Sequence, residues 1–196
     1  MATQEQRRAD TRHRLLDAAA ELFAARGVEG ASIDAIAELA DRTSGAVYDH
    51  FGGKEGLLFA LLEGWVDDVA AVITAELATA TTLEERLATL WRNVAEPPSG
   101  DGRWIALEHE LWSWAARHPE ARDHLARRYR AAFEGVESAA AEWLGVPPPP
   151  GTGATVIGLL LGLEMMRRID GSTVDEAVAV AALRAALTGS HEGARR

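Results

Sequence analysis

Residues 11–58 read TRHRLLDAAAELFAARGVEGASIDAIAELADRTSGAVYDHFGGKEGLL, and this stretch decides the fold. Leu15, Ala19, Leu22 and Phe23 recur at spacings of three and four, the period of a helix with one apolar face. A first helix is therefore expected from about Thr11 to Arg26, stopped by Gly27. Ser32 has the hydroxyl to cap a short second helix that turns Ile33, Ile36, Ala37 and Ala40 inward. Asp41-Arg42 then make a tight turn. Thr43 is placed to cap a third short helix, SGAVYDHF, which Gly52-Gly53 end. Three short helices with a tight turn between the second and third describe a helix-turn-helix.

The physics of that motif assigns roles. Its third helix enters the major groove, so the first residues must be small or polar to approach base edges. Thr43, Ser44, Gly45 and Ala46 meet that need. Val47 and Phe51, four apart, are expected to face back into the head, leaving Tyr48 and His50 to reach flanking phosphates. The same stretch resembles the DNA-binding head of the tetracycline-repressor (TetR) family almost position for position. The residues that carry the resemblance are Phe23-Ala24-Ala25-Arg26-Gly27, Gly30-Ala31-Ser32, Ile36-Ala37, Tyr48-Asp49-His50-Phe51 and Lys54-Glu55. The resemblance implies that Tyr48, His50 and Lys54 contact phosphates and that Arg42, Thr43, Ser44, Gly45 and Ala46 face bases and backbone. Ser32, at the start of the second helix, joins that DNA-facing set. Three positions depart from the family pattern. Ser44 stands where many members carry a lysine, Asp49 brings a negative charge toward DNA, and Gly53 replaces the usual serine cap of the following helix.

Outward from the head, a long fourth helix is expected from Lys54 to about Ala80, with Leu58, Leu61, Trp65, Val69 and Val72 in one stripe. Thr82 followed by Glu85 is a capping-box pattern that opens LEERLATLWRNVAE. PPSGDG reads as a loop, followed by helices over about 103–117 and 120–144, the second turned inward at Leu125, Tyr129, Phe133, Val136, Ala140 and Trp143. PPPPGTG is an extended linker, and two helices, about 154–169 and 174–188, complete the chain. Nothing alternates over a strand's length. The expected fold is all-α: a helix-turn-helix head at 1–53, joined by the long helix to an effector-binding and dimerisation domain at 54–196.

In the body the resemblance lies in helix order. It implies an effector site among the middle helices and a homodimer through the last two. Helix 154–169 is apolar nearly all round, as expected of a helix that meets its own core and a partner chain. Helix 174–188 offers the small residues Ala177, Val178 and Ala181 together with Leu187. Trp104, Leu107, Glu108 and Leu111 share a face, and a carboxylate among apolar neighbours suits a ligand site. Glu108 either orients an effector's amine or hydroxyl or pairs with an arginine such as Arg130. Trp91, Phe133 and Met165 are the expected opposite walls, and Trp112 completes the candidate set. The long helix starting at Lys54 is the expected link from this region to the head.

Composition bounds the alternatives. The chain has 196 residues, no cysteine and a net charge of −10. Disulfides, thiolate metal sites and cysteine nucleophiles are thereby excluded. Arg7, Arg8, Arg12 and Arg14 form a local basic array; the acidic body repels nucleic acid while such an array can still dock it, so the case rests on the motifs and not on bulk charge. No basic stretch is followed by an apolar run, so no signal peptide is expected, and ATVIGLLLGLEMM is too short to span a bilayer. A cytoplasmic location is expected. His109-Glu110 invites a zinc-protease reading, but Ser113 stands where the second histidine is required, and no phosphate-binding glycine loop is present. No enzymatic activity, metal or cofactor is expected. The expected function is a ligand-responsive regulator that acts as a repressor on a palindromic operator and is released by a small apolar or aromatic effector. The alternatives are an activator of the same fold or a helical ligand-carrying protein.

Overall fold

The computed structural model describes residues 3–96 and 103–188, without the side chains at 65, 66, 68, 69, 103 and 104. Among the described residues every regular element is a helix: α1 (Gln4–Gly30), α2 (Ile33–Leu39), α3 (Ser44–Phe51), α4 (Lys54–Leu77), α5 (Leu83–Ala95), α6 (Arg103–Ala115), α7 (Pro119–Leu144), α8 (Thr152–Ile169) and α9 (Glu176–Thr188). The expected loop at 97–102 and the side chain of Trp104 lie outside the described residues.

By packing, the chain forms two compact units: residues 1–68 with 103–121, and residues 69–102 with 122–196. This division follows contact, and it differs from the motif-based boundary at 53/54 because α6 packs on α1 and α4 supplies part of the first unit's interior.

The first unit is built on Leu15, Phe23, Ile36, Val47, Leu57, Leu58, Ile105, Leu107 and Leu111, each at most 1% exposed. α1 starts seven residues earlier than the periodicity from Thr11 suggested. Thr3 and Gln6 form a capping box, the Thr3 hydroxyl accepting from the Gln6 amide at 3.2 Å while the Gln6 side chain accepts from the Thr3 amide at 2.7 Å. Thr-x-x-Gln at 3–6 is the sequence signal for it. Gly27 interrupts α1 without ending it, since the chain breaks there at φ 71°, ψ 165° and takes a further turn to Gly30.

The second unit packs α5, α8 and α9 together. Thr82 and Glu85 form the expected capping box, with the Thr82 hydroxyl accepting from the Glu85 amide at 3.2 Å. α8 approaches α7 closely: a Cβ on Gly153 would sit 2.2 Å from the Phe133 carbonyl oxygen. Glu164, wholly buried on α8, accepts from Arg167 Nε at 2.6 Å and Arg168 Nε at 2.8 Å, and Arg167 Nη2 also donates to the Ala95 carbonyl at 2.8 Å. The expected inner face of α7 is buried at Leu125 and Ala140 but only half-buried at Tyr129, Phe133, Val136 and Trp143. No described helix is long and apolar enough to cross a membrane.

Candidate nucleic-acid interface

α2, the turn at 40–43 and α3 have the form of a helix-turn-helix. Ser32 is the N-cap of α2, its hydroxyl accepting from the Ala35 amide at 3.1 Å. The turn closes through Arg42 N–H donating to the Ala37 carbonyl at 2.8 Å. Asp41 takes φ 54°, a left-handed conformation that aspartate tolerates better than most residues. Thr43 has N-cap backbone angles, φ −92° and ψ 153°, but its side chain makes no capping hydrogen bond. Gly52 ends α3 in the left-handed conformation at φ 76°.

Only Val47 of α3 is fully buried, and α3 packs on α2, where Ile36 and Ala37 are buried too. Phe51 is half-buried, with the Arg12 guanidinium 5.0 Å from its ring centre. Gly45 lies open, and a Cβ there would meet nothing closer than the Thr43 hydroxyl at 3.7 Å. Tyr48 is 57% exposed, Asp49 is exposed, and Ala46 and His50 are half-exposed. The outer face of α3 is thus small at its start and carries hydroxyl and imidazole groups further on.

Besides Ser32, three more residues of the expected DNA-facing set have intramolecular partners. Arg42 donates from Nη2 to Asp10 at 2.8 Å, from Nε to the Thr11 hydroxyl at 3.2 Å and from Nη1 to the Asp41 carbonyl at 2.6 Å. Of its five N–H groups two are left for another acceptor. Asp10 also pairs with Arg14 at 3.2 Å. Ser44 donates to Asp34 on α2, which ties the first turn of the recognition helix to its bracing helix. Lys54 donates to the carbonyls of Ala31 at 3.0 Å and Glu29 at 3.4 Å, with one ammonium hydrogen to spare. Gly56 explains how closely α4 follows α3: a Cβ there would lie 1.9 Å from the Phe51 carbonyl oxygen.

The expected effector residues fall in both units. Leu107, Glu108 and Leu111 are buried in the first, where Trp112 is half-buried. Trp91 is buried in the second, where Phe133 and Met165 are half-buried. Two open grooves of about 410 and 340 Å³ contain none of these residues; one lies along Arg14, Asp17, Glu21, Leu39 and Leu61, the other along Glu76, Glu85 and Arg92. Among the described residues no cluster of histidine and carboxylate side chains could hold a metal ion. The Glu110 of the His-Glu pair accepts from the Val28 amide at 3.3 Å, a structural bond within the first unit.

Comparison with known proteins agrees with this arrangement. Residues 15–61 match the family described as bacterial regulatory proteins, tetR family, and residues 78–189 match the tetracyclin repressor-like C-terminal domain. The HTH-type transcriptional regulator SrpR of Pseudomonas putida is 38% identical over 90 residues, 46% of this chain and 42% of SrpR. Other curated relatives are named as repressors and as an activator. The chain matches 42%, 67% and 43% of the length of three curated relatives, SrpR and TtgW of Pseudomonas putida and KstR2 of Rhodococcus jostii. Among solved structures, a transcriptional regulator from Streptomyces coelicolor A3(2) is 25% identical with a TM-score of 0.71, covering 91% of this chain and 98% of that one. The multidrug binding protein EbrR complexed with imidazole is 25% identical with a TM-score of 0.67, covering 90% and 89%.

Proposed function

The chain belongs to the TetR family of bacterial regulatory proteins, and on that footing we propose that it is a homodimeric repressor that leaves a palindromic operator when a small apolar or aromatic molecule binds its body. The observation that carries the DNA part is the outer face of α3, small at Gly45 and Ala46 and bearing the exposed Tyr48 hydroxyl. On this reading Gly45 and Ala46 lie against base edges, Tyr48 and His50 hold phosphates, and Lys54 turns its third donor outward. Arg42 and Ser44 support the interface from within, and Thr43 and Ser32 lie on its margin.

Residues 1–53 serve as the DNA-binding domain and 54–196 as the effector-binding and dimerisation domain. Dimerisation is supported by the exposed apolar faces of α8 and α9, where Met166 is 49%, Ile169 74% and Val178 46% exposed. Large apolar side chains left exposed on two neighbouring helices favour a protein contact there. For the effector, the α6 residues Trp104, Leu107, Glu108, Leu111 and Trp112 are the first candidates, with Trp91, Phe133 and Met165 as the second group. The small-molecule complex of EbrR supports a ligand-responsive body.

Selection from a random-sequence duplex pool tests the DNA reading. The full-length chain is expected to enrich a two-fold symmetric sequence, and Tyr48→Ala is expected to weaken binding to it without changing the preferred bases. A pool that shows no enrichment overturns the reading. A promoter–reporter carrying the enriched site is expected to lose expression when the chain is present; a gain would replace repression by activation.

A further inference from the structure

The segment that joins α1 to α2 is gripped from outside the helix-turn-helix. Gly27, at φ 71° and ψ 165°, occupies a backbone region essentially restricted to glycine. A broken helix leaves amides without their usual acceptors four residues back. The Val28 amide finds its acceptor in another element, the Glu110 carboxylate of α6, at 3.3 Å. The fit is tight, because a Cβ on Gly27 would lie 2.9 Å from the same carboxylate oxygen. Seven residues on, in the turn that follows α6, Arg117 donates to the Glu29 carboxylate at 2.8 Å. That guanidinium holds the Glu29 carboxyl below its ordinary value. From the other side Lys54 donates to the carbonyls of Glu29 and Ala31. Val28 and Ala31 are buried, and the next residue, Ser32, caps α2. The elbow at 27–31 therefore has its direction set by α6 and α4, and it delivers the chain into the bracing helix of the DNA-binding motif.

We infer that Glu110 and Arg117 are positioning residues for operator binding: through the Gly27–Ala31 elbow, α6 sets the direction in which α2 and α3 leave α1. Neither residue belongs to the outer face of α3: Glu110 is on α6, which buries Leu107, Glu108 and Leu111, and Arg117 is in the turn just past the end of that helix. A turn or slide of α6 moves the Glu110 carboxylate on Val28 and, through the turn attached to its end, the Arg117 guanidinium on Glu29. A change in how α6 is packed is thus read at the recognition helix without passing along the length of α4. The inference rests on the DNA-binding reading above and adds to it the route by which the state of the body reaches the head.

The test uses the full-length chain and the duplex enriched by the unaltered protein. Glu110→Ala is expected to lower affinity for that duplex about tenfold, within the usual range of coupling between distant sites, at a temperature where its helix content matches the unaltered protein. Glu110→Gln, whose amide oxygen still accepts from Val28, is expected to recover most of the loss. Glu29→Arg and Arg117→Glu are each expected to weaken binding, and the double variant, which restores an ion pair of reversed polarity, to bind better than either. A folded Glu110→Ala that binds within twofold of the unaltered protein overturns the inference, as does a double variant no better than the worse single one. Where Glu110→Ala does not fold, the reversed pair decides by the same criterion. Absence of any enriched duplex is a separate result that removes the DNA-binding reading itself.

Discussion

α3 and α8 both show part of their surface to solvent, and the two faces have opposite chemistry. α3 presents Ser44, Gly45, Tyr48, Asp49 and His50, and it buries Val47 alone. α8 presents Gly158, Gly162, Met166 and Ile169, and buries Val156, Leu160, Leu161 and the Glu164 carboxylate. A helix with one buried residue gains little from packing, so its ends must be specified: Ser44 is tied to Asp34, and Gly52 closes the last turn. α8 is held by its core face and needs no such help, with a left-handed Gly151 and no side-chain cap at its start. The exposed faces then differ in what covers them. A polar face is at ease in water or against phosphate, whereas apolar surface is disfavoured by about 25 cal/mol per Å² until another apolar surface meets it. The same chain thus offers one face suited to nucleic acid and one suited to protein.

The strongest way to break this contrast is to put a charge on the apolar face. A Cβ on Gly162 would meet nothing within 4 Å, so Gly162→Arg should leave the fold intact. At a dimer interface it would bury an unpaired charge at a cost of about 2–5 kcal/mol. Sedimentation is expected to show a dimer for the unaltered chain and a monomer for Gly162→Arg. A dimer in both would put the contact elsewhere.

On the same helix, Glu164→Ala removes the carboxylate that Arg167 and Arg168 share. Arg167 and Arg168 keep about a third of their side-chain surface in water, so the loss should fall short of that for a fully buried pair, at about 2–3 kcal/mol. Urea unfolding checks this, with Glu164→Gln expected to lose less. A stability within experimental error of the unaltered chain would show that the carboxylate contributes nothing net.

A smaller effect is expected in the turn before α3. Asp41 at φ 54° is replaced at little cost by glycine, while Asp41→Ala should lose about 1 kcal/mol because alanine is poorly suited to the left-handed region. Equal midpoints for Asp41→Gly and Asp41→Ala would mean that the turn relaxes.

The smallest effect belongs to the α5 cap and depends on pH. Hydrogen bonds from the Thr81 amide and hydroxyl and the Thr82 amide hold the Glu85 carboxyl down at about 2. A carboxyl depressed in the folded state contributes stability above its unfolded value, 4.5, and loses it as pH falls toward the folded one. The melting temperature of Glu85→Ala should therefore lie below that of the unaltered chain near neutral pH, with the gap closing between pH 4.5 and about 2.

Where local chemistry decides, the sequence was legible. The end of α3 follows from Gly52, and the start of α5 from Thr82 and Glu85, since each signal lies within a turn of the boundary it sets, whereas Thr43 stands at the N-cap of α3 without the expected side-chain cap. The start of α1 was legible too, in Thr3 and Gln6, although apolar periodicity pointed to Thr11. Long-range partners were not. Arg42 reads as a DNA contact by its place in the motif, yet its guanidinium is engaged by Asp10 and Thr11, more than thirty residues earlier. Gly27 reads as a stop because nothing near it in sequence announces Glu110, 82 residues downstream of Val28. Arg167 and Arg168 are local partners of Glu164, but the second bond of Arg167, to the Ala95 carbonyl, spans 72 residues and nothing beside it in sequence announces it.

In the proposed dimer two α3 faces, joined by the apolar faces of α8 and α9, read one symmetric DNA site. A hydroxyl-radical footprint of the chain on its enriched duplex tests this most directly. Two protected patches of equal strength are predicted, related by two-fold symmetry and separated by about one helical turn, roughly 34–36 Å, or a multiple of it. Gly162→Arg should lose both together. A single patch, or two patches that survive in Gly162→Arg with unchanged affinity, would contradict the account.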